Sequence, residues 1–396
     1  MRKPELLAPA GDMECLKTAF RFGADAAYLG GPFMQLRSKV TGFDLENIRA
    51  AAELAHGLKK KIYVTVNSFA KDSEFDRIKS YARELKDAGV DAVIVSDLGV
   101  ISAIRQTVPD LEIHVSTQAN CQNAECAKVY YNMGVKRIVL AREMSLDEIA
   151  EFRSKIPDDL EIEAFVHGAM CMAYSGRCFI SSYLAGRSGN RGECTQPCRW
   201  RYQLMEQKRP GEFFPVEEDE NGTTLLSSRD MKCISFLDKL IEAGVTSFKI
   251  EGRMKSPYYV ATVVNAYRHA IDGTADIALL EKELDCVSHR PYSSGFYFGE
   301  LKRYMPDDDM AYKQDKVFAG VVKNYENGRL TVEQRNNFKD GDVFEVISPA
   351  SIGLAFKVNN MVNCAGEHIT AAPHPQELIT VDCPFELHPG DILRKR

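Results

Sequence analysis

The chain has 396 residues, of which 45% are hydrophobic and 27% charged, and its formal net charge is −6. These values are typical of an ordinary globular protein with two domains, or with one large domain and an added module. The negative charge argues against a protein that coats nucleic acid indiscriminately, so any RNA contact must be a local basic patch. No apolar run approaches the roughly 20 residues needed to cross a membrane, and the N-terminus lacks a signal core. We therefore expect no membrane contact and a cytoplasmic location.

The first 255 residues alternate short apolar runs with amphipathic helical stretches. Eight runs predict strands, at residues 6–8, 26–30, 62–67, 92–96, 113–117, 137–141, 162–168 and 247–252. Several of the intervening helix patterns end in Gly followed by Val, which is a typical helix stop. Eight such units favour a TIM-like (β/α)8 barrel. A doubly wound open sheet is the alternative, but the first strand runs into LLAPAGD, which is not the G-x-G-x-x-G fingerprint.

Polar residues follow most of these predicted strands. In a parallel barrel the active site lies at the C-terminal ends of the strands, so we expect these residues to line a cup: Asn67, Ser68, Asp97, Thr117, Gln118, Asn120, Arg142, Glu143, His167, Glu251 and Arg253. Each of them alone could be a turn or cap residue. Asn67, Gln118, Glu251 and Arg253 are the substrate-binding candidates of this set.

After the seventh strand the alternation is interrupted by an insertion at 169–230. An insertion of this length in a compact barrel is usually functional. Its second half, FFPVEEDENGTTLLSS, predicts a hairpin that turns at Asn221–Gly222. We predict a barrel domain at 1–275, a helical or irregular connector at 276–314, and a small C-terminal all-β barrel domain at 315–396. In this last domain, the turn signals KDGD and HPGD precede short strands.

Five of the eleven cysteines lie in or just after the insertion: Cys171, Cys178, Cys194, Cys198 and Cys233. Thiols are kept reduced in the cytoplasm, so this concentration favours metal binding or catalysis over disulfides. An iron–sulfur cluster needs four thiolates, whereas structural zinc prefers C-x2-C knuckles, which are absent here. A nucleophilic thiol is the third alternative. We expect Cys233 to lie in the first turn of the next helix, where the helix dipole favours a thiolate.

Glu163 and His167 are the acid–base candidates. Positions four apart in a strand share a face, so both could point to the barrel axis and serve general acid–base catalysis. The structural alternative is a buried Glu–His hydrogen bond. Arg187, Arg191, Arg199 and Arg201, with Glu193 as the one acid between them, form either an RNA-binding patch or a solvated loop.

Several longer motifs resemble the collagenase-like peptidases of family U-32. They are LLAPAGD, E-x-F-V-H-G-A-M-C-x-x-x-S-G-R-C, G-x-C-x-x-x-C-R-W, RPGEFFPVEEDENGT and S-F-K-I-E-G-R-M-K-S. The resemblance covers the whole chain and is greatest to the transfer-RNA hydroxylation branch, which also includes proteases. It implies oxygen-independent formation of 5-hydroxyuridine at the wobble position of tRNA, with prephenate as a possible oxygen donor. A peptidase with metal- or thiol-dependent hydrolysis is the first alternative, and a non-catalytic assembly partner is the second.

The resemblance also implies a ligand set for a 4Fe–4S cluster, with zinc as the alternative. Cys171, Cys178 and Cys194 match the family's cluster cysteines. We take Cys233 as the fourth ligand because it fits the spacing of the ubiquinone-hydroxylating members, and Cys198 is the alternative. Arg177, Arg187, Arg191 and Arg199 are then expected to contact RNA phosphate or a carboxylate donor.

Overall fold

The structure, a computed structural model, describes residues 3–36, 42–171, 173–178, 180–199, 217–219, 222–224, 229–299, 313–349 and 352–395. The chain divides into two compact units. The first lies within residues 1–16, 24–255 and 289–312, and the second within 17–23, 256–288 and 313–396. The predicted boundaries at residues 275 and 315 stay predictions.

The strands of the first unit are, in chain order, β1 (Glu5–Pro9), β2 (Ala26–Gly30), β3 (Lys61–Val66), β4 (Ala92–Val95), β5 (Glu112–Val115), β6 (Arg137–Val139), β7 (Glu161–Ala169), β8 (Glu217–Asp219), β9 (Gly222–Thr224), β10 (Asp230–Lys232), β11 (Ser247–Ile250) and β12 (Tyr292–Ser293). Strands β1 to β7 pair in order and in parallel, and β11 pairs in parallel with both β1 and β7. The result is the predicted closed eight-stranded parallel barrel.

The α-helices of the described residues are, in chain order, α1 (Met13–Arg21), α2 (Leu45–Gly57), α3 (Phe75–Asp87), α4 (Leu98–Thr107), α5 (Ala124–Asn132), α6 (Leu146–Ser154), α7 (Ile180–Ala185), α8 (Leu237–Glu242), α9 (Pro257–Asp272) and α10 (Ile277–Leu284). The last two belong to the second unit. Several helices begin at a side-chain cap of the expected kind. Asp97 accepts hydrogen bonds from the backbone N–H groups of Gly99 and Val100, and Ser145 and Glu148 form a capping box. None of the helices in the described ranges is long and apolar enough to cross a membrane.

The barrel interior is apolar in one layer and ionic in the next. Leu7, Ala26, Tyr28, Tyr63, Ala92 and Ile94 form a buried cluster. Nearer the N-terminal ends of the strands, buried Arg137 pairs with Glu5 and Glu161, each at 2.6 Å. A charged side chain inside the barrel needs a partner of opposite charge, because the burial of an isolated ion costs much free energy.

The predicted insertion after the seventh strand is present, and both of its ends lie at β7. Strand β10 runs antiparallel to the outer part of β7, with Asp230 opposite Ala169, and β12 runs parallel to β10. The hairpin is also present as β8 and β9. Asp219 pairs with Gly222, so Gly222 belongs to a strand and not to the predicted turn. The turn residues themselves lie outside the described ranges.

The C-terminal part is all-β, as predicted. Its strands are β13 (Val317–Glu326), β14 (Arg329–Gln334), β15 (Phe338–Lys339), β16 (Val343–Ile347), β17 (Ala355–Lys357), β18 (Ala371–Ala372), β19 (Leu378–Asp382) and β20 (Ile392–Lys395). Six of them form an antiparallel sheet in the order β17-β16-β20-β13-β14-β19. The hydrophobic core of this part includes Phe338, Phe344 and Leu393, which are fully buried.

Candidate active site at the barrel mouth

A cavity of about 220 Å³ lies at the C-terminal ends of the barrel strands. Strand residues that point into the barrel form its apolar part, namely Tyr28, Ile94, Val139 and Phe165. Residues that follow the strands form its polar part: Asn67, Ser116, Thr117, Gln118, Arg142, Glu251 and Arg253. The remainder of the lining comes from the cysteine-rich insertion. The predicted cup therefore exists, at the end of the barrel where the sequence places it.

Other residues predicted for the cup have structural roles instead. Asp97 caps α4, and Asn120 ends a short 3-10 turn with a left-handed backbone, φ 55°. Glu143 accepts a hydrogen bond from the backbone N–H of Ser175, at 2.8 Å, and so holds the insertion. None of the three lines the cavity.

The insertion is fastened to the barrel at several strand ends. Arg191 forms an ion pair with Glu74 at 2.7 Å, beyond the end of β3. Gly176 packs against the residues that follow β5, and its backbone is left-handed, with φ +72°. A Cβ at Gly176 would lie 2.0 Å from the carbonyl oxygen of Gln118, so no larger residue fits there. These contacts hold the cysteine segment over the barrel mouth.

Four of the five candidate cysteines line the cavity: Cys171, Cys178, Cys194 and Cys198. The backbone N–H of Gln196 donates a hydrogen bond to Cys194 Sγ at 3.4 Å. In the described part of the chain, no three His, Cys, Asp or Glu side chains are grouped closely enough to hold a metal ion. The four thiols thus share one cavity without yet converging on one point.

Cys233 does not line the cavity. It is fully buried before a 3-10 turn (Ile234–Phe236) that precedes α8. Burial raises the pKa of its thiol well above the ordinary value. Cys233 does stand at the start of the helical turn, as predicted, but burial disfavours the thiolate that the sequence predicts there. The alternative fourth ligand, Cys198, is the one that the fold brings to the other three.

Glu163 is fully buried and belongs to an ionic cluster beneath the cavity. Lys249 Nζ donates to Glu163 Oε1 at 2.7 Å, and Arg137 Nη1 donates to Oε2 at 3.0 Å. Burial alone would raise the pKa of Glu163, but Lys249 and Arg137 outweigh it and the pKa lies below its ordinary value. Glu163 is therefore a paired anion that is not among the residues lining the cavity, and its predicted acid–base role stays a prediction.

His167 does not share the inner face of the barrel with Glu163. The register of β7 against β11 shifts between Phe165 and His167, which interrupts the two-residue alternation. The His167 ring lies outside the cavity lining, 5.5 Å from the ring of Tyr292. Burial, followed by the nearby cations of His289 and two lysines, lowers the pKa of His167 to about 3. His167 is thus neutral at neutral pH, and its predicted catalytic role stays a prediction.

Three of the predicted arginines, Arg177, Arg187 and Arg191, are not among the residues that line the cavity. Arg177 is exposed and Arg187 is half-buried, while Arg191 is paired with Glu74. The side chain of Arg199 lies outside the described residues.

The cations that line the cavity are instead Arg142, Lys249, Arg253 and Arg290, and Glu251 is the one acid among the lining residues. Arg253 donates to Thr65 Oγ1 at 2.9 Å. Lys249 and Arg290 were missed as site residues. Lys249 could have been predicted as a site residue, because a lysine within the otherwise apolar strand SFKI is unusual. Arg290 could not, because its place depends on a tertiary ion pair with Asp230 at 2.6 Å.

Comparison with known proteins agrees with the resemblance in the motifs. Residues 11–305 match Peptidase family U32, and residues 314–394 match the Peptidase family U32 C-terminal domain. The chain is 38% identical to "tRNA hydroxylation protein P1" of Bacillus subtilis, covering 100% of this chain and 95% of the relative. It is 37% identical to "tRNA hydroxylation protein P" of Escherichia coli, covering 98% and 95%. A "Collagenase" of Porphyromonas gingivalis is 34% identical, covering 75% and 74%. The chain therefore belongs to peptidase family U32.

Proposed function

We propose that this protein hydroxylates a base of transfer RNA without molecular oxygen, forming 5-hydroxyuridine at the wobble position. The proposal rests mainly on one observation: four cysteines and the side-chain amides of Asn67 and Gln118 line the same cavity at the barrel mouth. Two relatives that align over nearly the whole chain are named tRNA hydroxylation proteins, which supports RNA as the substrate.

The cofactor that we propose is a 4Fe–4S cluster on Cys171, Cys178, Cys194 and Cys198. Four thiols around one cavity fit such a cluster in kind and in number. The N–H donor at Cys194 is also of the type that tunes cluster sulfurs. A bound cluster would supply one-electron redox chemistry at the barrel mouth, which zinc cannot do. Cys198 replaces Cys233 in this ligand set because of its position in the cavity.

The chain's own residues would bind and orient the base. Asn67 Nδ2 donates to Ser116 Oγ at 3.3 Å. Asn67 Oδ1 is buried and lacks a hydrogen-bond partner among the described residues. A buried acceptor of this kind is costly unless a ligand donates to it. We infer that Oδ1 accepts the imino N–H of uracil, while Gln118 contacts another edge of the base.

The oxygen donor would occupy the cationic side of the cavity. Arg142 and Arg253 suit a small carboxylate such as prephenate, because guanidinium groups bind carboxylates in a bidentate manner. For a donor R–OH, the net change is base C5–H plus R–OH to base C5–OH plus R–H. The base loses two electrons and the donor gains two, so molecular oxygen is not required.

The decisive experiment is nucleoside mass spectrometry of tRNA from a deletion strain that expresses variants of this protein. We expect wild type to restore 5-hydroxyuridine and Cys171→Ala to abolish it. Cys364→Ala is the matched control, because Cys364 is an exposed thiol in the second unit. Unchanged modification with Cys171→Ala would refute a role for the cluster.

Metal analysis of protein purified without oxygen separates the alternatives. About four irons and four sulfides per chain would support the cluster. Stoichiometric zinc without sulfide would favour the peptidase alternative, although Glu163 and His167 lie outside the cavity lining. Failure of the purified protein to modify RNA alone, when a cell extract restores activity, would favour the assembly-partner alternative.

A further inference from the structure

Three large apolar side chains lie exposed beside the barrel mouth. Phe69 is 40% exposed, Leu98 is 53% exposed and Tyr174 is 62% exposed. Phe69 follows β3 and Leu98 follows β4, while Tyr174 belongs to the turn that packs on the end of β5 through Gly176. Because β3, β4 and β5 are neighbours in the barrel, the three side chains follow one another along one arc of its mouth. We call this set the apolar rim.

Other large apolar side chains, such as Leu58 and Val129, are also exposed, and the apolar rim differs from them by its position beside the cavity. The strands beneath it are almost entirely buried, so the fold has enough interior for its apolar residues. Large exposed apolar groups at the edge of a cavity commonly mark a ligand-binding surface. Tyr174 also lines the cavity, so a ligand that enters the cavity passes its ring.

The charges next to the apolar rim indicate what kind of ligand this is. The backbone N–H of Arg177 donates to the carbonyl of Tyr174 at 2.9 Å, and the Arg177 side chain is exposed. Among the described residues that line the cavity behind Tyr174, Lys249 and Arg290 are neutralised by Glu163 and Asp230. This leaves the guanidinium groups of Arg142 and Arg253 beside the carboxylate of Glu251. Flat apolar groups beside positive charge suit single-stranded nucleic acid, whose bases stack on aromatic rings and whose phosphates bind arginine. A peptide could fill the apolar sites but carries no regular negative charge.

We propose that the apolar rim is a base-stacking surface that holds single-stranded RNA while one nucleotide enters the cavity. Tyr174 stacks on the nucleotide next to the target, and Phe69 and Leu98 contact the bases beyond it. Arg177 binds the phosphate between the target and its neighbour. This assignment rests on the proposed function and names the residues that position its substrate.

The test measures binding of a fluorescent anticodon stem–loop RNA to the purified full-length protein by fluorescence anisotropy. Base stacking on one aromatic residue accounts for a change in affinity of about 5- to 150-fold, so Tyr174→Ala should weaken binding by a factor in this range. Tyr174→Phe keeps the ring and should bind within about twofold of wild type. Phe298→Ala is the matched control, since Phe298 is 56% exposed but belongs to a segment after the barrel strands. Its affinity should not change.

A stacking signature comes from 2-aminopurine placed next to the target uridine, because a stacked 2-aminopurine is quenched. We expect quenching on binding to wild type and to Tyr174→Phe, and none with Tyr174→Ala. Equal affinity and equal quenching for Tyr174→Ala would overturn the proposal, even if the protein hydroxylates tRNA. Binding of a collagen peptide in competition with the RNA, lost in Tyr174→Ala, would also overturn it by assigning the apolar rim to protein. If cluster loading or catalysis fails while RNA binding still depends on Tyr174, the proposed function falls and the apolar rim stands.

Discussion

Glu163→Gln should destabilise the barrel strongly, although the substitution is almost isosteric. The carboxylate is fully buried, and it neutralises Lys249, whose side chain is only 5% exposed. Removing one partner of a buried ion pair costs about 3–5 kcal/mol, because the remaining charge is left without compensation. At roughly 2–4 °C per kcal/mol, the melting temperature should fall by about 6–20 °C.

The matched control is Glu161→Gln, at a carboxylate that pairs with the same arginine, Arg137, but is 43% exposed. It should cost no more than about 1 kcal/mol. A double variant, Glu163→Gln with Lys249→Met, removes both charges and should recover part of the loss. Thermal unfolding by near-ultraviolet circular dichroism measures all of these variants.

The pH dependence gives a second check on Glu163. Its pKa is lowered in the folded state, so the ion pair stabilises the fold above the ordinary carboxyl pKa of about 4.3 and is lost as the pH falls further. The difference between wild type and Glu163→Gln should therefore shrink below about pH 4. Equal melting temperatures for Glu163→Gln and Glu161→Gln at pH 7 would refute the assignment of a buried, compensated charge.

Three further predictions follow from the insertion and the strand that carries it. Cys198→Ser should lower the iron content of anaerobically purified protein to background, whereas Cys233→Ser should retain it; the reverse result would restore the ubiquinone-type ligand set. The pKa of His167 is lowered to about 3, so its neutral form stabilises the fold above about pH 6.5 and this stabilisation is lost as the pH falls towards 3. His167→Gln should flatten the melting temperature over that window, and an unchanged slope would contradict the burial of a neutral imidazole. Gly176→Ala should release the insertion to limited proteolysis, because its Cβ would strike a carbonyl oxygen, while Gly186→Ala, also left-handed but with nothing within 4 Å, should cost only about 1–2 kcal/mol of backbone strain.

The barrel could be predicted because its strands carry a local signal. Runs such as 26–30 and 92–96 are apolar on both faces, and polar residues such as Asn67 and Gln118 follow soon after a strand. Chain order then determines that these residues meet at one end of the barrel. The cavity at the C-terminal ends of the strands could therefore be predicted from the order of the strands alone.

The acid–base candidates could not be placed in the same way. The alternation that puts Glu163 and His167 on one face holds only for an uninterrupted strand, and the register shift in β7 arises from its pairing with β11. The burial of Cys233 could not be predicted for a related reason, since it depends on packing between distant segments. Spacing along the chain carries no information about either.

The pairing of Ala169 with Asp230 makes the two ends of the cysteine-rich insertion neighbours in one ladder. The insertion therefore begins and ends at the same place on the barrel, and the ion pair of Asp230 with Arg290 holds its second end there. Since a longer loop adds only a small entropic cost once its ends are joined, the insertion could grow, shrink or be exchanged while the eight strands stay as they are. The barrel is thus a fixed support, and the insertion is the part of the site that can change without disturbing the eight strands.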